Sequence, residues 1–69
     1  MVIPIYYKIE LNDNPSVGKW VHLEDVRKFA NTIIHNWYMM FNLVKIVEHN
    51  GKHHTSKEID VWVDGKKTI

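Results

Sequence analysis

The fold is decided by residues 23–41, which read LEDVRKFANTIIHNWYMMF. Apolar side chains recur in this stretch every three or four residues. They are Val26, Phe29, Ala30, Ile33, Ile34, Trp37 and Phe41. This spacing predicts one amphipathic helix with a single apolar stripe. Glu24 and Asp25 fall in its first turn, where carboxylates interact favourably with the helix dipole.

The end of the helix is expected between Asn36 and Phe41. Residues 37–41 would also suit a strand, but Trp37 and Phe41 keep the apolar stripe in phase. We therefore expect the helix to continue to about Met40. This end carries more apolar surface than a small fold clearly needs, which makes it a candidate region for contact with a partner.

Three other segments alternate between apolar and polar residues with the period of two that is typical of half-buried strands. They are residues 2–11 (VIPIYYKIEL), 43–49 (LVKIVEH) and 59–64 (IDVWVD). Asn50-Gly51 is a strong turn signal between the last two. Between the first strand and the helix, residues 19–22 allow a short extended piece.

The order strand, helix, strand, strand predicts a single domain over residues 1–69, with an α+β fold of two layers in which one amphipathic helix packs on a three-stranded sheet. Parity assigns an apolar set to the inner face. It comprises Ile3, Ile5, Tyr7, Ile9, Val44, Ile46, Ile59, Val61 and Val63. The outer face then carries Tyr6, Lys8, Glu10, Lys45, Val47, Asp60, Trp62 and Asp64.

The composition limits the functions that are open to this chain. Sixty-nine residues form one small core, and the absence of cysteine excludes a disulfide staple. Nine Lys and Arg against eight Asp and Glu give a formal net charge of +1, without the basic excess of a dedicated nucleic-acid binder. The sequence shows neither a signal peptide nor a run of about 18 apolar residues, so we expect a cytoplasmic protein that does not cross a membrane.

The five histidines do not form a metal-ligand pattern. His49, His53 and His54 lie around the Asn50-Gly51 turn, but adjacent strand residues point in opposite directions and no second ligand pair is present. Solvated turn histidines are the simpler interpretation. No nucleophile motif and no phosphate-binding glycine loop appears either. We expect no metal, no cofactor and no enzymatic activity.

The outer sheet face is the candidate binding surface. Tyr6, Val47 and Trp62 would be its aromatic and apolar anchors, and Lys8 and Lys45 would set the electrostatic register. This composition favours a protein partner, with a homodimer as one form of that contact. Single-stranded nucleic acid is the alternative, because exposed aromatics flanked by lysines can stack bases. The acidic residues on the same face weigh against it.

A strand that leads to a helix with Arg27-Lys28-Phe29-Ala30-Asn31, followed by a strand such as Val44-Lys45-Ile46-Val47-Glu48, resembles small phage-encoded accessory proteins. The similarity covers about two thirds of the chain, and no functional residue is carried over by it. The resemblance implies a stoichiometric inhibitor or modulator of a host or defence protein.

Overall fold

The computed structural model describes residues 4–12, 14, 17–36 and 41–68. The chain forms β1 (Ile5–Leu11), β2 (Val17–Trp20), α1 (Leu23–Asn36), β3 (Leu43–Asn50), β4 (Thr55–Val63) and β5 (Lys66–Lys67). The strands make one antiparallel sheet in the order β2-β1-β3-β4-β5. The expected α+β fold, with one helix against a sheet, is confirmed. The expected number and order of the elements are wrong, because the sheet has five strands and not three, and two strands instead of one precede the helix.

The two additional strands are short and lie at the two edges of the sheet. Asp64 and Gly65 have φ angles of 52° and 81°, and Val63 pairs with Lys66. A two-residue loop with two positive φ angles is the tight hairpin turn that Asp-Gly favours. The chain therefore returns beside β4 as β5 instead of continuing as a polar tail. At the other edge, β2 overlaps the extended piece expected over residues 19–22 only at Lys19 and Trp20.

The main core lies between α1 and the centre of the sheet. Val26, Ala30 and Ile33 of the helix are buried against Ile9 of β1 and Ile46 of β3, which are direct neighbours across the two strands. Each fully buried aliphatic side chain of this kind stabilises the fold by about 1.5–3 kcal/mol. This packing confirms the predicted apolar stripe through its first three turns.

The edges of the stripe differ from the expectation. Phe29 is 43% exposed at the flank of the stripe, where its ring lies beside Trp20 of β2. Ile34 and Phe41 are half-buried against the core. The helix described here ends at Asn36, and the expected continuation to Met40 falls on residues 37–40, outside the described residues.

The face assignment of β4 is opposite to the one expected from the sequence. Val44 lies opposite Trp62, and Ile46 lies opposite Asp60, so these two β4 residues point toward the helix layer. Lys45 lies opposite Val61, which places Val61 on the outer face. The predicted inner positions of Val61 and Val63 and the predicted outer positions of Asp60 and Trp62 are therefore wrong, whereas Ile59 has no partner in the β3–β4 register. Of the remaining inner set, Tyr7, Ile9, Val44 and Ile46 are confirmed, Ile5 is 37% exposed, and Ile3 falls outside the described residues.

Two side-chain properties explain this orientation. Trp62 has more apolar surface to bury than a valine has, and it is 9% exposed within the core cluster. Asp60 is 2% exposed, yet its carboxylate contacts Arg27 of α1 and Lys67 of β5. An irregularity follows Ile46, where Val47 pairs with Glu58 and Ile59 is the extra residue of a bulge.

Candidate functional site

The outer face of the sheet carries a row of three side chains across β2, β1 and β3. The Tyr6 ring stacks on His49, with ring centroids 5.2 Å apart and planes at 10°. Lys19 Nζ lies 4.8 Å from the centroid of the same Tyr6 ring. Because β1 lies between β2 and β3, Lys19 and His49 approach Tyr6 from opposite sides. The row therefore holds Tyr6 in one orientation by a cation–π contact and a ring stack.

Val47 and Val61 form a small second apolar layer on this outer face. They are 4% and 9% exposed, although the helix packs on the other side of the sheet. Lys45 Nζ contacts Glu58 Oε2 at 3.1 Å. Lys45 pairs in register with Val61, and Glu58 pairs with Val47. Val47 is on the predicted face, but it is too deeply buried to serve as an accessible anchor. That part of the prediction is wrong, because polar neighbours with long side chains surround Val47.

The charges of the outer face are unevenly distributed. Glu10 is paired in register with Lys45, and Glu58 forms an ion pair with the same lysine. The acidic groups are therefore concentrated beside Lys45. Lys8 and Lys19 lie on the adjacent strands β1 and β2, and Glu10 lies on the same face of β1, two residues from Lys8. The part of the β1–β2 side around Tyr6 therefore carries the two lysines, and the part beyond Lys8 carries Glu10.

Trp62 does not belong to this surface. It packs with the core residues between the sheet and the helix, so its predicted role as an exposed anchor is wrong. The neighbouring inner-face residue of β4, Asp60, forms ion pairs with Arg27 of α1 and Lys67 of β5. Burial alone would raise the pKa of Asp60, but the hydrogen bonds and positive charges of Arg27 and Lys67 hold that pKa below its ordinary value.

An aromatic pair that the sequence analysis did not select lies at the β2 edge. The rings of Trp20 and Phe29 are 5.2 Å apart with planes tilted by 38°. Phe29 is 43% exposed, and Val21, the first residue after β2, is 45% exposed. The sequence contained a partial signal for this pair, because Phe29 lies at the flank of the helical stripe and Trp20 lies in a short extended segment. Their meeting depends on the placement of β2 beneath that flank of α1.

Gly18 allows Trp20 to adopt this position. Gly18 has a φ angle of 75°, and a Cβ atom added there would clash with the indole ring of Trp20. The indole therefore lies over the bare Cα of Gly18 while its other side approaches Phe29. The glycine supplies both the left-handed backbone conformation and the space for the ring.

The histidine-rich turn is ordered by the side chain of Asn50. Asn50 Oδ1 accepts hydrogen bonds from the amides of Lys52 and His53, and His54 has a φ angle of 54°. The connection runs over residues 51–54, and Asn50 pairs with Thr55, so Asn50 and Gly51 do not form a two-residue turn. Across the described ranges, no group of three or more His, Cys, Asp or Glu side chains is arranged to hold a metal ion.

Comparisons with protein-family models, curated proteins and solved structures found no match to this chain. The resemblance to phage accessory proteins therefore stays a prediction. Of the residues described, no helix is both long enough and apolar enough to cross a membrane.

Proposed function

We propose that this chain is a non-enzymatic protein-binding module that docks on an acidic surface of another protein. The contact surface is the β1–β2 side of the outer face, with Tyr6, Lys8 and Lys19 as its main residues. The observation that supports this most directly is the row in which Lys19 and His49 hold Tyr6 in place. A side chain that is already ordered loses less entropy on binding, so it contributes more to affinity.

The same row supports a protein partner over single-stranded nucleic acid. Stacking of a base needs an open face of an aromatic ring. One face of Tyr6 is stacked on His49, and Lys19 lies over the ring from the side of β2. With Trp62 in the core, the outer face also lacks the second aromatic anchor on which the alternative depended.

The proposed role in the cell follows the resemblance stated above. A stoichiometric inhibitor or modulator of a host or defence protein needs a rigid contact surface and no catalytic group. The Tyr6 row and the adjoining lysines supply such a surface within a fold of 69 residues. The proposed partner is accordingly a cytoplasmic host or defence protein with an acidic contact region.

Affinity capture from a bacterial lysate tests the protein-binding function. We expect wild type and Lys52→Glu to recover the same proteins, because Lys52 lies in the exposed turn after β3. Lys8→Glu should recover them at least about five-fold less, because it replaces an attraction with a repulsion. Equal recovery by both variants would count against this surface. Circular dichroism of each variant checks that the fold is intact.

A fluorescent single-stranded oligonucleotide tests the alternative. Binding to nucleic acid through lysines weakens steeply as salt is added, because counterions are released. We expect no saturable binding even at low salt. Tight, salt-sensitive binding that is lost in Tyr6→Ala would contradict the proposal in favour of the nucleic-acid alternative.

A further inference from the structure

We infer that β2 receives the partner as an added strand, and that the added segment alternates apolar with acidic residues. This inference rests on the proposed function and specifies how the partner is bound. It depends on three features of β2 that meet at one place: its edge position, the aromatic pair on its inner face and the lysines on its outer face.

The first feature is the edge. β2 is the terminal strand in the order β2-β1-β3-β4-β5, and within the described part of the chain it pairs with β1 alone. A terminal strand presents backbone N–H and C=O groups along its outward side, where an extended peptide can pair with them. β2 has four residues, with a left-handed backbone at Gly18 and a register irregularity against β1, so the pairing that it offers is limited to a short segment of an extended partner.

The second feature is the aromatic pair. Trp20 points to the inner face, toward α1, and its ring lies 5.2 Å from that of Phe29. Phe29 remains 43% exposed beside the edge. An added strand would place every second side chain on this face. Those side chains are expected to be apolar, because they would cover the exposed ring of Phe29.

The third feature is the lysine pair. Lys19 lies on the outer face of β2, over the Tyr6 ring, and Lys8 lies on the adjacent strand β1. The alternate side chains of an added strand would meet this positive charge. Opposite charges on neighbouring strands attract, whereas like charges repel, so acidic residues are expected at these positions. Together the two faces define the alternating pattern.

The opposite edge of the sheet is less suitable for strand addition. β5 already pairs with Trp62 and Val63 of β4, which closes that end of the edge. The rest of β4 contains the bulge at Ile59 and carries Lys57 and Glu58 at adjacent positions. Bulges and charged side chains hinder pairing at edge strands. Because β2 also has a register irregularity and carries Lys19, the two edges differ in the cover that β5 gives to β4 and in the exposed ring of Phe29 beside β2.

A panel of labelled eight-residue peptides tests the inference by fluorescence anisotropy. The probe alternates valine with glutamate. One control peptide replaces glutamate by lysine, a second replaces valine by serine, and a third carries N-methyl groups on alternate residues so that its backbone cannot pair. We expect the probe to bind at least about ten-fold more tightly than each control, because each control removes one of the three features.

Variants of the protein assign this binding to β2. Lys19→Glu should reverse the preference between the glutamate and lysine peptides, and Phe29→Ala should weaken binding of the probe about five-fold. Lys52→Glu makes the same charge change away from the edge and should alter neither. The amide signals of Lys19 and Trp20 in heteronuclear NMR spectra should shift with the probe and stay unchanged with the N-methylated peptide.

The outcomes separate this inference from the proposed function. The inference is overturned if the probe does not bind saturably, if the N-methylated peptide binds equally well, or if Lys19→Glu leaves the charge preference unchanged. If Lys8→Glu still abolishes capture of a partner in that case, the protein-binding function stands without strand addition. A solution mass of twice the chain mass that falls in Phe29→Ala would assign the edge to a second copy of this chain and would overturn the proposed segment.

Discussion

Arg27 on the helix and Asp60 on the fourth strand form a two-point contact across the layers of the fold. Arg27 Nε donates to Asp60 Oδ2 at 2.8 Å, and Nη2 donates to Oδ1 at 3.4 Å. Lys67 Nζ adds a third contact to Asp60 Oδ1 at 3.3 Å. One carboxylate thus connects the β4–β5 hairpin to the helix, which is distant in the sequence.

The first prediction concerns the pH dependence of stability. The pKa of Asp60 is lower in the folded protein than its ordinary value, so its contribution to stability is present above about pH 4 and is lost as the pH falls through the folded pKa. Asp60→Asn should lower the free energy of unfolding at neutral pH by about 1–3 kcal/mol. Urea titrations of both proteins at neutral and acidic pH should show this difference shrink on acidification.

Asp64→Asn is the matched control for that experiment. Asp64 is exposed and has a φ angle of 52°, a conformation that asparagine tolerates. It should have the stability of wild type at every pH. A difference between wild type and Asp60→Asn that does not change with pH would contradict the assigned role of the Asp60 carboxylate.

The second prediction concerns Trp62, which is 9% exposed in the core. Trp62→Phe should destabilise the protein by about 1–3 kcal/mol, and Trp62→Ala should leave it largely unfolded, because a core of this size supplies only about 3–5 kcal/mol. Val63→Ala is the control, since Val63 is 42% exposed on the opposite face. Urea unfolding followed by circular dichroism measures all three. A larger effect at Val63 than at Trp62 would support the opposite orientation of β4.

The third prediction separates two glycines that both have positive φ angles. Gly65→Ala meets no atom within 4 Å, so it should cost only the strain of the left-handed backbone, about 1 kcal/mol. Gly18→Ala has the same strain and also clashes with the indole of Trp20, so it should cost more. In a Trp20→Ala background, the cost of Gly18→Ala should fall to that of Gly65→Ala. If it does not fall, the indole does not lie over Gly18.

The fourth prediction concerns the junction between β1 and β3. Asn12 Oδ1 accepts hydrogen bonds from the amides of Asn42 and Leu43, at 3.0 and 3.1 Å, and Asn12 has a φ angle of 51°. Asn12→Ala removes both acceptor contacts and strains the backbone, which should cost about 2–3 kcal/mol.

Two further variants separate the backbone strain from the loss of the acceptor, and a third serves as the control. Asn12→Gly restores the backbone conformation alone, whereas Asn12→Asp keeps the acceptor, so each should be more stable than Asn12→Ala in thermal unfolding. Asn14→Ala, at an exposed position of the same loop, should resemble wild type. Equal stabilities of Asn12→Ala and Asn14→Ala would argue against the junction.

The sequence predicted those features that depend on local pattern. The apolar stripe through Ile33 and the strands around Ile9 and Ile46 agree with the structure, because helical and strand periods are properties of neighbouring residues. The Asp64-Gly65 turn carried a hairpin signal, but the strand after it has only two residues, too few for an alternating pattern.

Features that depend on distant residues were missed. The alternation of β4 is equally regular in both orientations, but Asp60 contacts Arg27 on the distant helix and Lys67 on β5, a strand that was not predicted. For the same reason, Val47 was expected to be accessible, although its neighbours across the sheet bury it. The aromatic pair at the β2 edge forms only because two elements meet there.

The buried carboxylate of Asp60 also favours the observed register of β3 and β4 over a shifted one. If β4 slid by one residue along β3, Ile59, Val61 and Val63 would face the helix, and this alternative would also present an apolar surface. In the slipped arrangement Asp60 would turn to the outer face, away from Arg27, and the indole of Trp62 would be left in water. The ion contacts of Asp60 therefore disfavour a register shift that the apolar pattern of β4 alone would allow.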